Sequence, residues 1–456
     1  MKPDFFRRLL ASTVLLAAMA RGAVPAARPN ILLIVSDDQG YADVGFQGSK
    51  DLVTPHLDRL AASGIRFTNG YVTHPFCSPT RAGLMTGRYQ QRFGHERNPH
   101  FNPSDHREGL PVGETLLPAR LQPAGYVTGW IGKWHLGAAP EFAPERRGFA
   151  ETYGFIGGGH RFREWAVNGA VEYQVPVERN GRPVTPPAHL TTDLGREAVE
   201  FVRRHRGEPW FLYLAFNAPH NPQEPTPERL ARFAAIADPL RQKYAAQMSL
   251  MDDAFGETAG ALRATGQEPR TLVFFFSDNG GPVGINGSSN TPLRGAKGTV
   301  YEGGVRVPFV VAWPERLQAG KVDDRPVSSV DVFATALAAA GVPMPTDRTY
   351  DSVNLIPYLT GEKAGAPHER LFWRNGSQLA VRDGNWKLVR AAGKSDEVYD
   401  LATDVAETND LAAEQPAVAA RLAKALNAWN GELIDPVFAG LNNQPGKGKK
   451  AAKKQP

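Results

Sequence analysis

The sequence predicts an α/β fold: a large mixed, mainly parallel sheet sandwiched by helices, followed by a smaller C-terminal antiparallel sheet with one helix. Two observations lead to it. Unbroken apolar runs of strand length alternate with apolar stripes of helical spacing over most of the chain, as in a parallel sheet covered on both faces. After Gly341 the runs shorten and turn pairs appear between them, the texture of hairpins. The length of 456 residues exceeds one ordinary domain and leaves room for a sizeable core.

Taken in order, the chain opens on Lys2, Arg7 and Arg8, an apolar stretch over 9–20, and small-residue cleavage options at Ala18-Met19-Ala20 or Ala26-Ala27. This reads as a secretory signal over 1–27, which implies an exported protein, periplasmic or secreted. Its apolar part is shorter than the ~20 residues a helix needs to cross a bilayer, so no membrane span is expected. Strands are expected over 31–35, 126–131, 211–216, 271–276 and 307–312. Thr54-Pro55 should start a helix as N-cap and first-turn proline, and Gly64 should end it. Leu194, Ala198, Phe201 and Val202 form one helical stripe, and Tyr244, Met248, Met251 and Phe255 another. Asn375-Gly376 and Asp383-Gly384 bracket a strand over 378–382 as hairpin signals, and Val418, Leu422, Leu426 and Trp429 mark a last helix that packs on that sheet. The expected division is therefore a catalytic unit over 28–341, an α+β unit over 342–440 and a basic tail over 441–456 with nothing to bury.

Composition excludes several functions. Hydrophobic content of 42% and charged content of 22% are those of a globular chain. The net charge of +5 comes from the ends: Lys447, Lys449, Lys450, Lys453 and Lys454 carry five charges, and Lys2, Arg7, Arg8 and Arg21 less Asp4 carry three. That leaves 28–446 at −3, which gives no electrostatic case for binding nucleic acid. Cys77 is the only cysteine, so neither an internal disulfide nor a cysteine-based zinc or iron–sulfur site can form.

The chemistry-bearing residues gather where strands end. Asp37 and Asp38 follow the first strand; Asp278 and Asn279 follow the strand over 271–276. Carboxylates brought together this way call for a hard cation, and all-oxygen ligands favour Ca²⁺ or Mg²⁺ over zinc; helix capping is the competing reading of each motif alone. His95-Glu96 with His100 has the wrong spacing for a zinc-protease helix, and Pro99 interrupts it. No G-x-S-x-G elbow is present, and Gly157 to Gly159 lack the lysine and spacing of a phosphate loop. In Cys77-Ser78-Pro79-Thr80-Arg81, Ser78 as cap and Pro79 in the first turn would put residue 77 just before a helix N-terminus, where N–H groups and Arg81 attract anions.

At this point the chain resembles the type I sulfatases of the alkaline-phosphatase superfamily, which depend on formylglycine. The resemblance rests on Cys77-x-Pro79-x-Arg81 followed by Ala82-Gly83-Leu84-Met85-Thr86-Gly87-Arg88, on Gly132-Lys133-Trp134-His135-Leu136-Gly137, on Ala218-Pro219-His220-x-Pro222, on Asp278-Asn279-Gly280, and on Pro292-Leu293-Arg294-Gly295-x-Lys297 with Glu302-Gly303-Gly304-x-Arg306-Val307-Pro308. These stand in family order between about Pro29 and Leu411; Asp351-Ser352 and Val405 depart from the common pattern outside the catalytic motifs. The resemblance implies an alkaline-phosphatase-like fold and a sulfuric ester hydrolase acting on sulfated carbohydrate or aryl sulfate. It implies that Cys77 is converted to 3-oxoalanine (formylglycine) by a formylglycine-generating enzyme, and that Asp37, Asp38, residue 77, Asp278 and Asn279 hold Ca²⁺, with Mg²⁺ the variant. Lys133, Lys297 and His220 would cradle sulfate, and Arg81 would hold the residue-77 side chain. Asp278 would take the nucleophile's proton, His220 or Lys297 would protonate the leaving alcohol, and His135 would take the proton that triggers sulfate release. The same superfamily holds phosphonate and phosphate mono- and diesterases, the alternative activity. Loop residues His95, Arg97, His100, His160, Arg161 and Arg163 are candidates to meet a sugar or an acidic neighbour.

Overall fold

The computed structural model describes residues 28–163 and 172–441; the expected signal segment, and the basic tail from 442, lie outside them. Among the described residues ten strands form one sheet. From edge to edge they are Lys321–Asp323, Ile65–Phe67, Phe309–Ala312, Thr271–Ser277, Asn30–Ser36, Trp210–Ala215, Val127–Lys133, Glu151–Phe155, Val177–Arg179 and Arg182–Val184. Asn30–Ser36 is parallel to both of its neighbours, and Val127–Lys133 and Glu151–Phe155 extend the parallel set. Phe309–Ala312 runs antiparallel to the strands beside it, so the sheet is mixed and mainly parallel. The five strands expected from sequence fall within two residues of observed ones. The edge pieces the sequence did not reveal are three residues long, too short to show a period.

The first strand shows why its sequence is aliphatic throughout. Ile31, Leu33 and Val35 enter one core, while Leu32 and Ile34 enter the core on the opposite face. The second core is closed by helices Pro55–Ser63, Leu190–Arg204 and Pro239–Ala264, whose expected stripes lie in it. Helix Pro55–Ser63 starts where expected, but Thr54 does not cap it. Its hydroxyl accepts from the Gly45 amide at 2.9 Å, and the amides of His56 and Leu57 donate instead to the Asp252 carboxylate at 3.1 and 2.8 Å. A distant carboxylate has taken the cap's place, which local sequence cannot show.

The C-terminal strands Arg370–Asn375, Gln378–Asp383, Trp386–Arg390 and Asp396–Asp400 form an antiparallel meander. The two tight loops are Gly376-Ser377 and Gly384-Asn385, one residue beyond the expected pairs, with the glycines at φ 59° and 58°. Helix Pro416–Asn430 lays Leu422, Leu426 and Trp429 on Leu379, Val381, Leu388 and Val398. The other face of the meander gives Leu371, Trp373, Ala380, Val389 and Tyr399 to the main core. A buried ion cluster crosses the same junction: Lys387 Nζ lies 2.8 Å from Glu302 and 2.9 Å from Glu407. Burial pushes the Glu407 carboxyl up to about 7 against the opposing charge of Lys387. Beyond the last helix the chain returns along the large unit, where the amides of Ile434, Val437 and Leu441 donate to the carbonyls of Gln91, Gly94 and Asn98 at 3.3, 3.0 and 2.9 Å. No helix among the described residues is long and apolar enough to cross a membrane.

His368 joins the two units through Asp331, its Nε2 lying 2.8 Å from both carboxylate oxygens. Burial lowers the pKa of this imidazole, but the Asp331 charge overcomes it, so the net shift is upward from 6.5. A raised histidine contributes stability that is fully present below its unfolded value and is lost as pH rises through the folded one. The thermal midpoint should therefore fall as pH rises above 6.5, and His368→Gln should flatten that fall when melting is followed across the same pH series.

Candidate active site

Two parallel strands set the site. Ser36 pairs with Ser277 in register, so Asp37-Asp38 and Asp278-Asn279 emerge at one level from the carboxyl end of the sheet, where open α/β sheets place ligands. All four are buried. Helix Cys77–Thr86 points its start at them, with Cys77 Sγ 3.5 Å from Asp37 Oδ1 and 3.9 Å from Asp38 Oδ1. Residue 77 is the first helical residue rather than the one before the helix, and Ser78 is not its cap. The Ser78 amide is met by Asn98 Oδ1 at 3.1 Å, while the Ser78 hydroxyl serves other partners. Burial, reinforced by the Asp278 charge, pushes the Cys77 thiol up, so an unmodified cysteine here is a poor nucleophile.

Cations match the carboxylates one by one. Lys133, at the end of its strand, reaches Asp37 Oδ2 at 2.6 Å with neither side chain exposed. Lys297 Nζ lies 2.6 Å from Asp38 Oδ1 and 3.2 Å from Cys77 Sγ. Burial would raise the Asp37 and Asp38 carboxyls, but Lys133 beside the first and Lys297 beside the second hold both below the usual range. For Asp278 burial, aided by the Asp37 charge, prevails and the shift is upward. Gly132, before Lys133, is at φ +115°, and a Cβ there would stand 1.9 Å from the Ala215 carbonyl oxygen. Only glycine lets the strand turn Lys133 inward at this point.

Arg81 is bonded mainly to Asp278. Its Nε and Nη2 donate to Asp278 Oδ2 at 3.0 and 2.7 Å, and Nη1 donates to the Lys133 carbonyl and Tyr213 Oη at 3.3 and 3.1 Å. Four of its five N–H donors are thus taken, two of them by Asp278, which Arg81 fixes in place. Asp278 in turn accepts from the Asp38 amide at 3.3 Å, so the carboxylates bonded to Cys77 Sγ are Asp37 and Asp38.

The two histidines face the cluster differently. His220 Nδ1 lies 2.6 Å from the Asn221 carbonyl, which only accepts, so that nitrogen carries a hydrogen and the exchangeable proton belongs to Nε2. Nε2 is 3.5 Å from Asp38 Oδ2. His135 is buried at φ +60°, and neither ring nitrogen has a hydrogen-bond partner. Burial first, then the charges of Lys133 and Arg81, push its pKa well down, which leaves a neutral ring able to accept a proton.

The oxygens at this point, from Asp37, Asp38 and Asn279, suit a hard divalent cation. Ligand atoms of Asp37, Asp38, Cys77 and His220 lie within 4.8 Å of one another. Asn279 donates through Nδ2 to Asp38 Oδ1 and the Gly280 carbonyl at 2.7 and 3.0 Å, while its buried Oδ1 has no partner. A buried amide oxygen left without a donor at a cluster of carboxylates is what an oxygen-seeking cation would complete.

Sequence reasoning missed several neighbours. Tyr173 stacks on His220 with ring centroids 6.0 Å apart, and Glu172 accepts from the Gly158 amide. A Cβ on Gly158 would lie 2.7 Å from His135 Nε2, so the Gly157 to Gly159 run is a close approach to that ring. Of the loop candidates, His100 and Arg161 meet acidic neighbours of this chain, Glu108 and Glu224. Glu96, beside His95, pairs with Arg374, and His95 itself turns inward and is fully buried.

A mixed α/β sheet whose strand ends set cations and carboxylates around one side chain at a helix start defines a hydrolase of anionic esters. Comparison with known proteins names the kind. The family model described as "Sulfatase" matches residues 29–342, and one described as "N-sulphoglucosamine sulphohydrolase, C-terminal" matches residues 296–431. N-acetylgalactosamine-6-sulfatase of Mus musculus is 35% identical over 404 residues, 83% of this chain and 75% of its own. The crystal structure of Ps i-CgsB in complex with k-i-k-neocarrahexaose superposes with a TM-score of 0.85 at 36% identity, covering 90% of this chain and 94% of that one. PsFucS1 sulfatase from Pseudoalteromonas sp. gives a TM-score of 0.78 at 26% identity over 89% of this chain and 90% of its own. The chain belongs to the sulfatase family and hydrolyses sulfate esters.

Because Arg81 and Asp278 are both fully buried, Arg81→Met should destabilise the chelated protein by about 3–5 kcal/mol by leaving a carboxylate unpaired. Cys77→Ala, which strips no ion pair, should cost much less. Urea unfolding of the two variants in the same buffer reads the difference.

Proposed function

We propose that this sulfatase removes sulfate from sulfated carbohydrates, with residue 77 acting as formylglycine beside Ca²⁺. The observation that carries the reading is the placement of the lone cysteine, at a helix start and 3.2 Å from Lys297 Nζ, among carboxylates and cations. The carbohydrate assignment is supported by the relatives, whose names and bound ligand are N-acetylgalactosamine-6-sulfatase and a neocarrahexaose.

Asp37, Asp38, Asp278 and Asn279 would hold the cation, with Mg²⁺ the variant, and when bound it supplies positive charge for residue 77 and a sulfate oxygen. Conversion of Cys77 by a formylglycine-generating enzyme supplies, on hydration, two hydroxyls on one carbon. The remaining work belongs to side chains of this chain. Lys133 Nζ and Lys297 Nζ face the terminal oxygens of a sulfate ester, with His220 Nε2 beside them on the side of the leaving alcohol, and the two ammonium groups neutralise charge that would repel a nucleophile. Asp278 would take the proton of the attacking residue-77 hydroxyl, and as the sulfur–oxygen bond to the alcohol breaks His220 delivers the Nε2 proton to the departing oxygen, its Nδ1 being held by Asn221. His135, neutral and without a ring partner, takes the proton from residue 77 that allows sulfate to leave. Tyr173 keeps the His220 ring in place by stacking.

The histidines can be separated by experiment. His135→Ala should release about one equivalent of alcohol from an activated aryl sulfate and then stall. His220→Ala should show no burst and suffer most with poor leaving groups; stopped-flow release reads both, and the reversed pattern would exchange the roles. For the cation, chelation should abolish turnover and Ca²⁺ restore it, with Asp37→Asn needing more Ca²⁺ for half-recovery; a full rate after exhaustive chelation would refute the assignment. Sulfate release from defined sulfated mono- and disaccharides tests the substrate class, and peptide mass analysis tests residue 77.

A further inference from the structure

His135 must accept a proton at a fixed place, yet no hydrogen bond holds its ring. Its orientation therefore depends on its backbone, which sits at φ +60°, a conformation a histidine adopts only where surroundings fix it. Two bonds do so. The His135 amide donates to the Ile156 carbonyl at 3.3 Å, and its carbonyl lies 2.5 Å from the Ser78 hydroxyl oxygen.

Ser78 has one proton to give. Two oxygens 2.5 Å apart require it between them, so the Ser78 hydroxyl donates to the His135 carbonyl. Its other partner, His95 Nε2 at 2.7 Å, must then be a protonated nitrogen donating to Ser78. His95, Ser78 and the His135 carbonyl thus form a directed chain, and His95 and Ser78 are fully buried. His95 is held from outside by Phe438, whose ring meets it edge-on at 5.1 Å, on the segment that returns from the last helix to bond Gly94 and Asn98.

We propose that His95 is a positioning residue for the reaction: through Ser78 it fixes the backbone of His135, and thereby the step that follows alcohol release. This rests on the role given to His135 above. His95 touches neither residue 77 nor the cluster of ligand atoms, so its loss should leave substrate binding and the first step in place.

The test compares His95→Phe, which keeps a ring against Phe438 but removes the donor, with His95→Gln, which restores an N–H at similar reach. Both are measured beside wild type and His135→Ala on an activated aryl sulfate, with formylglycine content at residue 77 and bound Ca²⁺ determined for each preparation. His95→Phe should lower kcat by about tenfold or more per converted active site, the size of loss a displaced catalytic group produces, with KM within about twofold and the alcohol burst retained. His95→Gln should recover most of kcat. Wild-type kcat in His95→Phe, equal loss of burst and steady-state rates, or no recovery in His95→Gln would overturn the proposal. A His135→Ala variant without a burst would instead overturn the role of His135, and the positioning claim with it.

Discussion

Three carboxylates, Asp37, Asp38 and Asp278, are buried at one level because two adjacent parallel strands end in register at Ser36 and Ser277. Like charges so close in a dry interior repel strongly unless cations stand among them. Lys133, Lys297 and Arg81 meet that demand, each on a different segment and each paired with one carboxylate. Much of the local architecture serves this balance. Gly132 lets the strand turn Lys133 inward, Tyr213 and the Lys133 carbonyl take Nη1 of Arg81, and the helix beginning at Cys77 points its N-terminus at the same spot. As built by the chain alone, the carboxylates and the fixed cations cancel. A divalent ion held by the oxygens would turn the site positive, which favours an anionic ester.

The sheet and the gathering of the candidate site residues at its strand ends were legible because their signals are local. Strands buried on both faces read as unbroken aliphatic runs, and the polar clusters that follow them stand next to them in sequence. What escaped depends on partners far apart in the chain. Asp252 caps a helix nearly two hundred residues away, Asn98 meets the Ser78 amide at the start of the Cys77 helix, and Arg81 bonds Asp278 on a distant strand end. Tyr173 and Glu172 lie in no motif. The one signal pointing toward them was the glycine run Gly157 to Gly159, which reads correctly as a close approach once the His135 ring is seen against it.

The smaller C-terminal unit is part of the enzyme's interior rather than an appendage. One face of its sheet is continuous with the main core, Lys387 brings a buried charge to Glu302 and Glu407, and the segment after the last helix runs back to the loop that carries His95 and Asn98. That loop, whose Asn98 meets the start of the Cys77 helix, is bonded to the chain's last described residues. The candidate site residues, spread from Asp37 to Lys297, thus lie in a unit against which the segment over 434–441 packs.

On the proposed reading Lys133 and Lys297 would face the three terminal oxygens of a sulfate monoester, whereas a phosphodiester carries the same single charge on two. The most direct measurement is the ratio of kcat/KM for an aryl sulfate and an aryl phosphodiester sharing one leaving group, on the same fully converted enzyme. A clear preference for the sulfate is the result this arrangement requires; faster hydrolysis of the diester would contradict it.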